Sequence, residues 1–331
     1  MDSPFPRSLP RPGGGRAVAK LLPNGGSGLD LVDCQYPLKL ISPKPAAHHR
    51  SAILWILSYG GGLVGGDQVN LSIDVLPQAK ISLVTQGHTK VFKAREPEVV
   101  TRQNFTVTVK DGGAICLLPD PVQPFKDSDY EQIQIFRAAE TASVCLLDWV
   151  TQGRTARGEN WDFISWKGRN ELWLLGEGDG AKDRLILRDT VKLAGGDPFL
   201  PGLPLKDMMH ENGVFGTLIL RGDQLSTLGD FFLVEFEALP RLGARGFKSK
   251  AGRLRDDDPE GTEAWRARRL LMEKEEKVLW CASRTRGCVI VKFGAATVEG
   301  GRDWLGMMIT REGSLTRIFG DEALFCVRPR L

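Results

Sequence analysis

The chain has 331 residues, with 44 Lys and Arg against 41 Asp and Glu and a net charge of +3. That length can bury a substantial core in one large domain or two ordinary ones, and the near balance of charge argues against nucleic acid, whose binders carry a concentrated basic face. No segment has the apolar length to span a bilayer, the N-terminus lacks the apolar stretch of a secretory signal, and the six cysteines, scattered without a CxxC pair, read as reduced thiols of a cytoplasmic protein.

Residues 1–28 are rich in Pro, Gly and Arg and read as a disordered tail. Residues 29–331 then read as a single β-rich domain. A first strand is expected at 29–41, broken by Pro37, followed by a polar loop at 43–50 in which His48 and His49 are solvated rather than a metal pair. A short apolar strand at 53–57 leads into Tyr59-Gly60-Gly61-Gly62-Leu63-Val64-Gly65-Gly66-Asp67. Gly60, Gly62 and Gly65 satisfy the GxGxxG spacing of a dinucleotide cradle, but such a cradle must open a helix. Residues 69–75 alternate apolar and polar instead, which is a strand. The stretch Gly60, Gly61, Gly62, Gly65 and Gly66 is therefore a tight structural turn between strands, with Asp67 as a turn residue.

Short β-branched or aromatic runs follow at 81–85, 105–109, 115–118, 133–136 and 144–147, and later at 163–166, 172–175, 185–187, 214–220, 231–236 and 289–293. Short strands at this spacing predict a mostly β fold of stacked or packed sheets, β-helix-like, with one or two helices in the C-terminal part. An exposed apolar strand at 231–236 would make the chain depend on a partner for solubility. Residues 241–262 run from basic to acidic with little apolar content and read as a flexible charged loop. A helix is expected at 263–279, with Ala264, Ala267, Leu270, Leu271, Val278 and Leu279 near one face that packs on the sheet.

No catalytic signature appears: no GxSxG, HExxH, Walker A or CxxC. Met208-Met209-His210-Glu211 has donors suited to a transition metal, but four adjacent residues on an extended chain cannot all face one ion. Three segments put polar or charged groups at the ends of apolar strands. They contain Thr85, Gln86 and Lys90; then Asp120; then Asp148, Arg154, Arg157 and Glu159. Half-buried charges need partners, and composition and spacing alone favour an ion-pair network that locks loops together.

Taken in order, Gly60 to Asp67, Thr85-Gln86-Gly87-His88-Thr89-Lys90, Leu118-Pro119-Asp120-Pro121-Val122-Gln123-Pro124-Phe125 and Gly153-Arg154-Thr155-Ala156-Arg157-Gly158-Glu159-Asn160-Trp161 resemble the urease accessory protein UreD (UreH) family. The likeness runs from about residue 31 to 192 and continues more weakly beyond. It implies a non-enzymatic scaffold that binds apo-urease and the accessory protein UreF, and through UreF the nickel-carrying GTPase UreG. Ni2+ would be in transit through an internal tunnel, with no tightly bound cofactor. Oxygen ligands hold a borderline cation weakly, where His or Cys would hold it tightly. On that footing Asp67, Asp120, Asp148 and Glu159 line the nickel path. Thr85 and Gln86 are its neutral lining, and Lys90, Arg154 and Arg157 offset the carboxylates. The rival readings are a β-rich enzyme using Asp148 and Glu159 as an acid/base pair, and a plain protein-binding module without a metal role.

Overall fold

In a computed structural model, the structure describes residues 12–44, 49–94, 96, 98–176, 178, 180–195, 202–240 and 261–328. The expectations for residues 1–11, His48 and the loop at 241–260 lie outside these.

The strands are β1 (Gly14–Leu21), β2 (Ser27–Cys34), β3 (Leu38–Ile41), β4 (Ala52–Ser58), β5 (Gln68–Val75), β6 (Lys80–Val84), β7 (Thr89–Val91), β8 (Thr101–Val109), β9 (Ala114–Leu117), β10 (Val122–Pro124), β11 (Asp129–Ala138), β12 (Ser143–Thr151), β13 (Ser165–Leu174), β14 (Arg184–Ala194), β15 (Val214–Arg221), β16 (Leu279–Thr285) and β17 (Cys288–Ala295). The helices, mostly C-terminal, are α1 (Leu205–Met208), α2 (Ser226–Glu237), α3 (Thr262–Glu275), α4 (Val298–Glu312) and α5 (Ser314–Phe319). The expected mostly β architecture of packed sheets is what forms. None of the helices is long and apolar enough to cross a membrane among the described residues.

Two sheets stack face to face. The first has the order β14-β13-β11-β8-β5-β1-β2; the second has β16-β17-β15-β12-β9-β6-β4-β3, with β7 and β10 beside it. From β4 to β13 the chain crosses back and forth between them. β5, β8, β11 and β13 pair in parallel in the first sheet, while β4, β6, β9 and β12 do so in the second. Parallel, in-register neighbours place equivalent residues of successive strands in rows across each sheet.

The two sheets differ in what covers them, and the sequence follows that difference. β12 (SVCLLDWVT) is buried along its whole length, because one face meets the first sheet and the other meets the helices. β11 (DYEQIQIFRA) alternates buried and half-exposed positions, as a sheet with one free face requires. One core lies between the sheets around Leu54, Leu71, Ile81, Val107 and Phe136. A second lies between the outer face of the second sheet and the helices, around Leu147, Trp149, Phe293, Phe232, Trp265, Trp304 and Met308.

Three sequence expectations are corrected. The described part of the 1–28 segment is not a disordered tail: β1 starts at Gly14, pairs in parallel with β5 and buries Ala17 and Ala19 completely. Small side chains there let the strand approach the core closely, so the composition lacks the bulky apolar pattern of a strand. Residues 231–236 belong to helix α2 rather than an exposed strand; Phe232 is buried, and Phe231 and Phe236 pack on the second core. Helix α3 stops at Glu275, and Leu279 opens β16. Its buried residues are Trp265, Arg269 and Glu273, while Leu271 is exposed. The inward face of α3 is thus ionic and aromatic, because neighbouring Glu and Trp side chains satisfy the charges.

Candidate functional site

At one end of the sandwich β4, β6, β9 and β12 finish while β5, β8 and β11 begin. Between them lies a cavity of about 340 Å3. Its mouth is formed by Lys39, Tyr59, Gly60, Gly61, Gln86 and His88, and its wall by Thr85, Gln103, Asp120 and Trp149. Gln132, Gln134 and Asp148 also line it.

Asp148 is the chemical centre of this arrangement. β12 turns it inward between the sheets, 94% buried on its 6% exposure. Gln132 Nε2 donates to its Oδ1 at 2.9 Å and Asn170 Nδ2 to its Oδ2 at 2.8 Å. Further amides back these two. Gln134 Nε2 donates to Asn170 Oδ1 at 3.0 Å, and Gln103 Nε2 and the Tyr130 hydroxyl donate to Gln132 Oε1 at 3.3 and 3.0 Å. Burial pushes the Asp148 carboxyl up to about 6, and the Asp189 charge adds to the rise; the Asn170 and Gln132 hydrogen bonds and the Lys292 charge oppose it. The result is a carboxylate surrounded by amide dipoles, with no cation hydrogen-bonded to it among the interactions seen.

Space for this carboxylate comes from Gly168 on β13. A Cβ there would stand 2.8 Å from Asp148 Oδ2 and 2.5 Å from the Trp166 ring. Gly168→Ala is therefore expected to lose about 1–3 kcal/mol of stability through overpacking, read as a lower midpoint in urea unfolding; an unchanged midpoint would show that Asp148 yields without cost.

Asp120 sits at the cavity wall with its charge fully engaged. The Thr85 hydroxyl donates to Asp120 Oδ2 at 3.1 Å, Gly87 N donates to the same oxygen at 2.8 Å, and Arg302 Nη2 donates to Oδ1 at 2.9 Å. The Asp120 N–H in turn donates to Thr85 Oγ1 at 2.7 Å. Arg302 arrives from α4 in the helical layer, and nothing in the local sequence announces it. His88 beside them is held below the usual imidazole range by burial, with Asp120 pulling up and Arg302 pushing down. Cys326 exchanges hydrogen bonds with the Thr85 backbone, and burial pushes its thiol up to about 12.

The remaining predicted residues lie outside the cavity lining. Asp67 accepts a hydrogen bond from Val64 N at 2.7 Å, which closes the glycine turn. Glu159 is buried, but Arg154 clasps it through its guanidinium and its backbone N–H, and that guanidinium lies 3.9 Å over the Phe125 ring. Burial raises the Glu159 carboxyl, and the Arg154 contacts outweigh it and leave it lowered. Lys90 and Arg157 are exposed. Of the three residues expected to balance charge, Arg154 pairs with Glu159, while at Asp120 and Asp148 the positive charge comes from Arg302, which binds Asp120, and from Lys292, whose charge pulls the Asp148 carboxyl down. In the glycine turn, Gly60, Gly61 and Gly66 have φ of 71°, 76° and 91°. Gly62 instead meets a close approach, since its Cβ would lie 2.9 Å from Lys90 O; Gly65 leans against Ala94 in the same way.

All six cysteines are free thiols. Among the described residues, no group of three or more His, Cys, Asp and Glu side chains could hold a metal ion. His210 and Glu211 of the Met-Met-His-Glu stretch point to the surface, where Glu211 pairs with Lys277.

The profile of the UreD urease accessory protein family matches residues 15–324. A urease accessory protein ureD-like chain of Schizosaccharomyces pombe is 34% identical over 273 residues, covering 82% of this chain and 85% of its own length. Urease accessory protein 4 of Cryptococcus neoformans is 32% identical, covering 84% of each chain. Urease accessory protein UreD of Anaeromyxobacter is 31% identical, covering 77% of this chain and 81% of its own. With a match that runs through both sheets and into the C-terminal helices, the chain belongs to the UreD urease accessory protein family.

Proposed function

We propose that this chain is a non-enzymatic scaffold and metallochaperone that passes Ni2+ to apo-urease in the cytoplasm. Its family gives it a role in urease maturation. In the finer reading it binds apo-urease and a UreF-like accessory protein, meets a UreG-like GTPase through UreF, and carries nickel in transit without a tightly bound ion.

One observation carries the reading: the buried Asp148 carboxylate at the cavity, held by amide donors. A carboxylate with amide and hydroxyl neighbours offers weak oxygen ligands to a cation, and the imidazole of the lining, His88, stands at the mouth rather than beside Asp148. Asp120 and Glu159, each clasped by an arginine, fit the role of structural anchors around that path better than the role of ligands.

The test is co-expression of apo-urease with the accessory proteins and either the wild-type chain or its Asp148→Ala variant. Urease activity and nickel content are expected to fall about tenfold or more, in line with losing an anchoring ligand contact, while the accessory complex still assembles. Normal activation by an intact Asp148→Ala complex would leave a binding module without a metal role. Turnover of a substrate by the isolated chain would favour the acid/base enzyme instead.

A further inference from the structure

Beyond Asp148 the polar groups continue to the opposite edge of the sandwich. β12, β15 and β17 place Asp148, Thr217 and Lys292 side by side in one row of the second sheet. β11, β13 and β14 place Gln134, Asn170 and Asp189 in a row of the first sheet. The rows face each other and are stitched together: Asn170 donates to Asp148, and Lys292 Nζ donates to Asp189 Oδ1 at 2.7 Å and to Thr217 Oγ1 at 3.3 Å. The other Asp189 oxygen, Oδ2, is buried and accepts no hydrogen bond. The cavity lining includes Asp148 and Gln134 but neither Asp189 nor Lys292, so the Lys292–Asp189 pair closes the far side of the polar seam.

Resting on the nickel-path reading, we propose that Lys292 is a tethered counter-cation that a passing divalent ion displaces. The charges support an exchange. Two carboxylates and one ammonium leave the empty seam at −1, and adding a divalent ion would leave it at +1. If the ammonium swings out as the ion arrives, the two carboxylates and the ion sum to zero. Lys292 can make that movement, since its side chain is 34% exposed on a flexible four-carbon stem, whereas Asp148 is fixed between the sheets. On return, the ammonium competes for the same carboxylates and helps to expel the ion. Lys292 thereby keeps two close carboxylates from becoming a trap, and the orphan Asp189 Oδ2 is free to accept a ligand bond during passage. Lys292 is a positioning residue in this scheme: it acts on the carboxylates and not on the ion.

The experiment uses the full chain purified in its accessory complex, with Ni2+ alone as the probe in equilibrium dialysis and urease activation as a second readout. Lys292→Met keeps the apolar stem and removes the charge. It is expected to bind Ni2+ about tenfold more tightly, as loss of a unit charge a few Å away implies, and to activate urease more slowly. Lys292→Arg is expected to restore weak binding, which a purely structural role for the stem would not do. Wild-type affinity and activation in Lys292→Met, with Asp148→Ala still blocking transfer, would overturn the counter-cation role and leave the path standing. Wild-type behaviour in both variants would remove the path itself, and this inference with it. Thermal unfolding of each variant confirms that the fold is kept; if Lys292→Met unfolds, Lys292→Gln is read by the same outcomes.

Discussion

Arg269→Met is expected to destabilise the chain by about 3–5 kcal/mol, the usual cost of leaving one member of a buried ion pair alone. Arg269 on α3 is 1% exposed. Its Nη1 donates to Glu273 Oε1 at 2.7 Å and its Nη2 to Glu235 Oε2 at 3.4 Å. Glu273 Oε1 also accepts from the indoles of Trp280 at 2.8 Å and Trp304 at 3.0 Å, and Arg266 grips Glu235 through Nε and Nη2. Two arginines and two glutamates balance, and the cluster ties α2, α3, α4 and β16 together. Removing Arg269 leaves Glu273 buried with only two neutral indole donors, which cannot replace a charge. Methionine fills much of the vacated volume, so the loss measured in urea isolates the charge. The double variant with Glu273→Gln removes both charges and is expected to recover most of the stability, because replacing a whole buried pair is often near neutral. Arg266→Met, at a partly exposed side chain, is expected to cost less than Arg269→Met. A loss under about 1 kcal/mol for Arg269→Met, within the range of an exposed pair, would show that the cluster is not a lock.

Much of the fold was legible because both sheets write their environment into the strands. The run Val144-Cys145-Leu146-Leu147 announces a strand covered on both faces, and the glycine turn declares its geometry wherever the chain needs positive φ. β11 misleads in an instructive way. Its isoleucines, Ile133 and Ile135, look like core residues, yet they are the half-exposed ones, while Gln132 and Gln134 point inward. Apolar residues seek burial only when the interior has no polar tenant. Here Asp148 faces β11, and the Gln132 amide meets its lone pairs as no isoleucine could. Asp148 and Asp120 could be picked out as carboxylates at strand ends, and both line the cavity. Arg302, Asp189 and Lys292 could not, because what joins them to those carboxylates is sheet register and helix docking between segments far apart in the chain. α3 escaped for the same reason: its inward charges are acceptable only because Glu235, Trp280 and Trp304 come from elsewhere in the chain.

At pH 7.5 the Asp148→Asn variant is expected to gain on the wild-type chain in stability, relative to their difference at pH 4. Burial raises the folded carboxyl from 3.8 to about 6. Between those values the folded chain holds a proton that the unfolded chain has lost. The stability linked to this group is therefore fully present below pH 4 and is lost as pH rises through 6. The shift corresponds to about 3 kcal/mol at most. Asparagine has no such dependence. It can accept from Gln132 or from Asn170 but presents a donor to the other, a fixed cost of about 1 kcal/mol that pH does not change. Urea unfolding of both proteins at matched pH reads the difference directly, and other titrating groups cancel between them. The gap is expected to move by about 2–3 kcal/mol in favour of the variant from pH 4 to pH 7.5, the span set by the same raised carboxyl. A gap independent of pH would mean that the folded carboxyl titrates like an unfolded one and that its surroundings already solvate the charge. If the gap moves as expected, Asp148 is ionised at neutral pH against the interest of the fold. The amides that face it reduce that penalty without removing it, which is the condition under which a cation entering the cavity gains most from meeting the carboxylate.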